Sequence, residues 1–169
     1  MNTTCKAIIW QQFGAAIDML ENAVIACPAK VWGDRPGPQE FWYLTFHTLF
    51  FLDFYLSDKR EGFGPPAPFG LEEFDPAGVL PPRVYSKDEL LTYLTYGRKK
   101  CRSAIAGLTQ ERATSESGGL RPGLTYLELH LYNMRHVQHH AAQLNLILRQ
   151  TIDSAPRWVS KTAHKLSVE

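Results

Sequence analysis

Hydrophobic periodicity constrains this chain most: four stretches repeat their apolar residues at helical spacing, and none alternates. Over 4–26, Ile8, Phe13, Ile17, Leu20 and Val24 recur every three to five positions, the stripe of an amphipathic helix. Pro28 and the Pro/Gly cluster of 33–38 end it. A second helix is expected over 38–56, with Pro38 in the first turn and Gln39–Glu40 where the dipole favours acid and amide. Its run FWYLTFHTLFFLDFYL is interrupted by His47 and Asp53, so it reads as a buried core helix, not a membrane span. A third helix is expected over 86–110. Ser86 and Glu89 stand at capping-box distance, and Leu90, Leu91, Leu94, Ile105 and Leu108 supply the stripe. Gly97 weakens its middle by ~1 kcal/mol relative to Ala. The fourth, 125–151, opens on Thr125 and Glu128 at the same capping distance. The expected fold is all-α: one domain over 1–169, built as a four-helix bundle.

The connection between the second and third helices is long. Residues 57–85 read SDKREGFGPPAPFGLEEFDPAGVLPPRVY, and loops beyond ~12–15 residues are usually functional or disordered. Phe63, Phe69, Leu71 and Phe74 are spaced through it and can dock onto the bundle, which argues for an ordered loop over one end or flank.

Lys plus Arg is 18 against 17 for Asp plus Glu, so there is no basic footprint for nucleic acid and no polybasic membrane anchor. The short cluster Arg98, Lys99, Lys100 and Arg102 reads as a solvated helix end. Cys5, Cys27 and Cys101 are widely spaced, with no CxxC; a disulfide framework is not expected, and a reduced cytoplasmic setting fits. The first residues lack the basic and long apolar regions of a signal peptide.

Half of the six histidines fall in NMRHVQHHAAQLN, 133–145. On a helical wheel with His136 at zero, His140 lies near +40°, Gln143 near −20° and His139 near −60°. His136 and His140 therefore stack at i, i+4, a spacing that lets two imidazoles chelate one ion. His139 leans to the edge and is expected to be dispensable. Such a pair also arises on wet helix faces, so the reading depends on His47, in the most apolar helix. A lone histidine there is either satisfied by the core or is a third ligand from a facing helix.

With those residues in view, the chain resembles the DinB/YfiT-like superfamily of metalloenzymes. These are four-helix bundles with one histidine in the second helix and an H-x-x-x-H pair in the fourth. The matching positions are His47 in WYLTFHTLFFLD, and His136 and His140; Ala142–Gln143 and the tail APRWV at 155–159 also resemble the family. The long 57–85 segment departs from the shorter loops of many members. The resemblance implies one divalent transition metal ion on His47, His136 and His140: zinc first, nickel or iron otherwise. Three protein ligands leave an open position for water or a thiolate.

The implied function is a small-molecule thiol S-transferase or hydrolase, with a low-molecular-weight thiol as one candidate substrate. The alternative is a non-catalytic metal-binding or stress-related small-molecule-binding module. A homodimer is consistent with the aromatic-rich helices. Tyr132, Asn133 and Gln143, together with Glu40, are candidates to orient the imidazoles. The chain offers no nucleophile of its own: Cys101 reads as a packed or surface thiol, and His130 and His164 as surface residues.

Overall fold

Asn2 accepts from the Cys5 N–H and starts α1 (Thr3–Ala26). Pro28 separates it from the short α2 (Ala29–Trp32). Three long helices follow, α3 (Phe41–Phe54), α4 (Lys87–Gly107) and α6 (Tyr126–Ile152), with the short α5 (Gln110–Thr114) between the last two. The computed structural model describes residues 1–33, 37 and 39–166, and no strand occurs among them. Both expected capping boxes form, Ser86 with Glu89 and Thr125 with Glu128. The expected first-turn role of Pro38 lies outside the described residues. α3 is shorter than the 38–56 stretch, because its last carbonyls turn to tighter partners: the Ser57 N–H bonds to Phe54 O and its hydroxyl to Asp53 O. α2 and α5 were not expected from the periodicity.

α1 and α3 each pack against both α4 and α6, so α1 sits diagonally from α3, and α4 from α6. α1–α4 and α3–α6 run antiparallel, whereas α3 and α4 run parallel, with Trp42 beside Tyr85 at their starts and Lys100 beside Ser57 towards their other ends. Lys6 reaches Ala106 O at one end of α1–α4, and Lys87 reaches Cys27 O at the other. On α3–α6, His47 faces His140 while Leu52 O accepts from Asn133. Gly97 of α4 is buried against α3. A Cβ there would lie 3.0 Å from Leu52 Cδ2, so the residue that weakens α4 locally lets α3 approach closely.

α3 is apolar nearly all round, the mark of a helix covered on every side. Trp42, Phe46, Leu49, Phe50 and Leu52 are fully buried. Residues 55–86 wrap the face that the other long helices leave open, with one 3-10 turn at Glu72–Phe74. Phe69 stacks on Phe46 at 5.8 Å, and Phe74 meets Phe50 at 5.0 Å and Phe54 at 4.8 Å edge-on. Aromatic contacts thus dock the long connection onto α3.

The basic cluster is not a solvated helix end. It lies in the second half of α4, which runs on to Gly107, and two of its cations are held by carboxylates. Arg98 binds Asp18 and Glu21 of α1, and Lys100 binds the fully buried Asp53 of α3 at 2.5 Å. The acids are far away in sequence, so spacing alone could not reveal them. The tail lies along α1: Trp10 Nε1 donates to His164 O at 2.7 Å, and Thr162 N to Gln11 O at 3.1 Å. Among the described residues no helix is long and apolar enough to cross a membrane.

Candidate metal centre

Where α3 crosses α6, three imidazoles converge. Ring centroids are 5.4 Å apart for His47–His136, 4.9 Å for His47–His140 and 4.6 Å for His136–His140. One ligand atom from each lies within 4.8 Å of the other two, the one such group of His, Cys, Asp or Glu among the described residues. The i, i+4 spacing stacks the α6 pair, and the antiparallel crossing brings in His47.

The Nδ1 atoms decide which nitrogens are free. His47 Nδ1 is 2.7 Å from Glu73 Oε2, and His140 Nδ1 is 2.6 Å from Gln143 Oε1. A carboxylate and an amide oxygen only accept, so both Nδ1 atoms donate, which in a neutral ring leaves the Nε2 lone pair free. His47 Nε2 and His136 Nε2 stand 3.4 Å apart. His136 Nδ1 is buried without a hydrogen-bond partner. Burial, with neighbouring imidazoles adding to it, lowers the His136 pKa to about 3 and the His140 pKa to about 4. These two rings are therefore neutral near pH 7, the form that ligates.

Glu73 projects from the 3-10 turn, its side chain only 6% exposed. It accepts from His47 and lies near Tyr43, whose hydroxyl pKa is raised by burial and then by this carboxylate. A cavity of about 340 Å³ opens here, with Tyr43, His47 and His140 on one wall and Glu73, Gly78 and Val79 on the other.

Of the residues proposed to orient the imidazoles, the structure brings Gln143 to the cluster. Asn133 is fully buried, not on a solvated rim, and donates to Leu52 O at 3.0 Å. Tyr132 packs edge-on against Tyr55 at 5.3 Å and shares a hydrogen bond with it; Tyr55 in turn lies 6.2 Å from the His136 ring. Glu40 precedes α3 as its N-cap, and the partner of His47 is Glu73. Helix register pointed to Glu40. Glu73 lies 26 residues from His47, in a loop, where the only sequence signal is an acid pair between spaced phenylalanines. His139 is exposed, as its wheel position implies. Cys101 is a packed thiol, its pKa raised by burial. His130 corrects the surface reading: it is 4% exposed and its pKa is lowered to about 4, chiefly by burial and then by Arg112. His164 is half-exposed, with its ring 3.8 Å from Asp18.

A family model for the DinB superfamily matches residues 12–144, a span that contains the three histidines, Glu73 and Gln143. The chain belongs to the DinB superfamily. No curated protein and no solved structure matches it. In this DinB-superfamily chain one edge of the donor set already has the spacing that a divalent ion needs. Nitrogens at ~2.0–2.1 Å on the corners of a tetrahedron are about 3.4 Å apart, which is the His47–His136 separation. The cluster can hold a divalent metal ion.

Proposed function

We propose that this protein is a metal-dependent enzyme acting on a small molecule, a thiol S-transferase or hydrolase that uses His47, His136 and His140 as ligands. One observation carries the reading: three convergent imidazoles beside a cavity of about 340 Å³, and not sealed in the core. A divalent ion on three neutral nitrogens supplies Lewis acidity and an open position. The protein's own contribution is orientation. Glu73 and Gln143 hold two rings in the tautomer that points Nε2 inward, so the donors are set before any ion arrives. Apolar Leu44 and Val79, with acidic Glu72, Glu73 and Asp75, give the cavity both an oily and a charged lining. That suits a compact substrate with an apolar body.

Zinc is the first candidate, because it accepts nitrogen donors in tetrahedral geometry and also takes sulfur; nickel and iron are next. The competing reading is a non-catalytic module that binds metal or a small molecule. To separate the two, the zinc-loaded protein is incubated with low-molecular-weight thiols and an epoxide or chlorinated electrophile, and in parallel with ester and amide substrates. Turnover that disappears in His140→Ala supports the enzyme. Turnover unchanged by chelation refutes a metal-dependent mechanism, and absence of turnover across the panel favours the binding module.

A further inference from the structure

We propose that Glu73 couples metal binding to closure of the 57–85 segment over the site, acting as a positioning residue through His47. The inference rests on the reading of His47 as a ligand. His47 Nδ1 meets the Glu73 carboxylate at 2.7 Å, and Tyr43, whose hydroxyl feels the same carboxylate's charge, also belongs to α3. The turn that carries Glu73 is therefore anchored to α3. Its next residue, Phe74, is packed among Phe50, Phe54 and Phe63, and Arg60 covers the Phe74 ring at 4.8 Å.

A cation on the far nitrogen of an imidazole draws electron density from the ring. The Nδ1–H then becomes a better donor, and its bond to a carboxylate strengthens. Metal and loop anchor thus stabilise each other. Linkage makes the effect reciprocal: the factor by which Glu73 raises metal affinity is the factor by which the metal favours the closed segment. Because Glu73, Gly78 and Val79 form one wall of the cavity, the same closure shapes the place where a substrate would sit. The Pro/Gly-rich connection therefore has a role at the metal.

The test uses the full chain, stripped with chelator and titrated with Zn²⁺ against a chromophoric competitor. Glu73→Ala should bind Zn²⁺ about 10–100-fold more weakly than wild type. Glu73→Gln should recover part of that loss, since its amide oxygen still accepts from Nδ1–H without the charge. Hydrogen exchange gives a readout that loop packing alone would not move. The Phe74 and Asp75 amides, bonded to Leu71 O and Glu72 O, should exchange more slowly on Zn²⁺ addition in wild type and show no Zn²⁺ response in Glu73→Ala. Binding by Glu73→Ala within twofold of wild type overturns the coupling. So does exchange in wild type that ignores Zn²⁺. Unchanged Zn²⁺ binding by His47→Ala overturns the ligand assignment and the coupling together. Should alanine unfold the turn, Glu73→Gln decides alone: it must bind several-fold more weakly than wild type.

Discussion

Lys100→Met should destabilise the protein severely, for a reason legible in the packing of Asp53. That carboxylate is fully buried in α3. Oδ1 lies 2.5 Å from Lys100 Nζ, and Oδ2 accepts from the Tyr93 hydroxyl at 3.0 Å. Lys100 also bonds Asp53 O at 3.0 Å and Ser57 Oγ at 2.9 Å, so one ammonium serves three acceptors at the C-terminal end of α3. Methionine keeps most of the volume and removes the cation. The carboxylate is then left buried with one neutral donor, a loss of about 3–5 kcal/mol. The Lys100 side chain is 26% exposed and water can reach the vacated place, which favours the lower figure. An unfolding entropy of ~2.1 cal/mol/K per residue over 169 residues is about 0.35 kcal/mol/K, so 3 kcal/mol corresponds to a fall in Tm of about 8–9 °C. Urea unfolding at pH 7, with thermal melts by circular dichroism, reads both quantities. Neutralising the acid should remove most of the effect: in an Asp53→Asn background, Lys100→Met should cost less than about 1 kcal/mol. A loss below about 1 kcal/mol in the wild-type background would refute the reasoning, because it would mean that the buried carboxylate does not depend on its cation.

His139→Ala should leave Zn²⁺ affinity within about twofold of wild type, measured by competition titration, since this ring is exposed beside the cluster. Gln143→Leu should weaken Zn²⁺ by about tenfold in the same titration, because the bond that holds the His140 tautomer is lost. His130 should make the chain acid-sensitive. Its pKa falls from 6.5 to about 4 on folding, so the unfolded chain takes up a proton before the folded one does. Stability from this group is complete above pH 6.5 and falls as the pH drops toward 4. Between pH 7 and 4.5 the loss is about 2 kcal/mol. In urea titrations with chelator present, His130→Leu should lose about that much less than wild type over the same interval; an equal loss would sink the assignment.

How far the sequence reaches depends on whether a contact is local. Capping boxes are three residues long, and both were readable. The i, i+4 imidazole pair is one helical turn, and only the third histidine required the guess that two helices cross at the right depth. The bundle followed from apolar stripes, whose period needs no knowledge of partners. What escaped was long-range. Glu73 reaches His47 because aromatic contacts fold a Pro/Gly-rich segment back onto α3, and no periodicity encodes that path. His130 lies about 120° from His136 on the wheel, a face that would meet solvent in a bare four-helix bundle. The structure places α5 nearby, with its Arg112 close enough to His130 to help lower its pKa; a five-residue helix carries too short a stripe to be read. Arg98 and Lys100 looked solvated because their acids lie about 80 and 47 residues away.

The central claim is that His47, on a different helix from the pair, completes a three-histidine metal site. Elemental analysis of untagged protein, expressed without added metal and passed through dilute chelator, tests it most directly. Wild type and His139→Ala should carry about one transition-metal ion per chain, and His47→Ala, His136→Ala and His140→Ala should each lose most of it. A His47→Ala protein that folds and still carries a full complement of metal would contradict the claim.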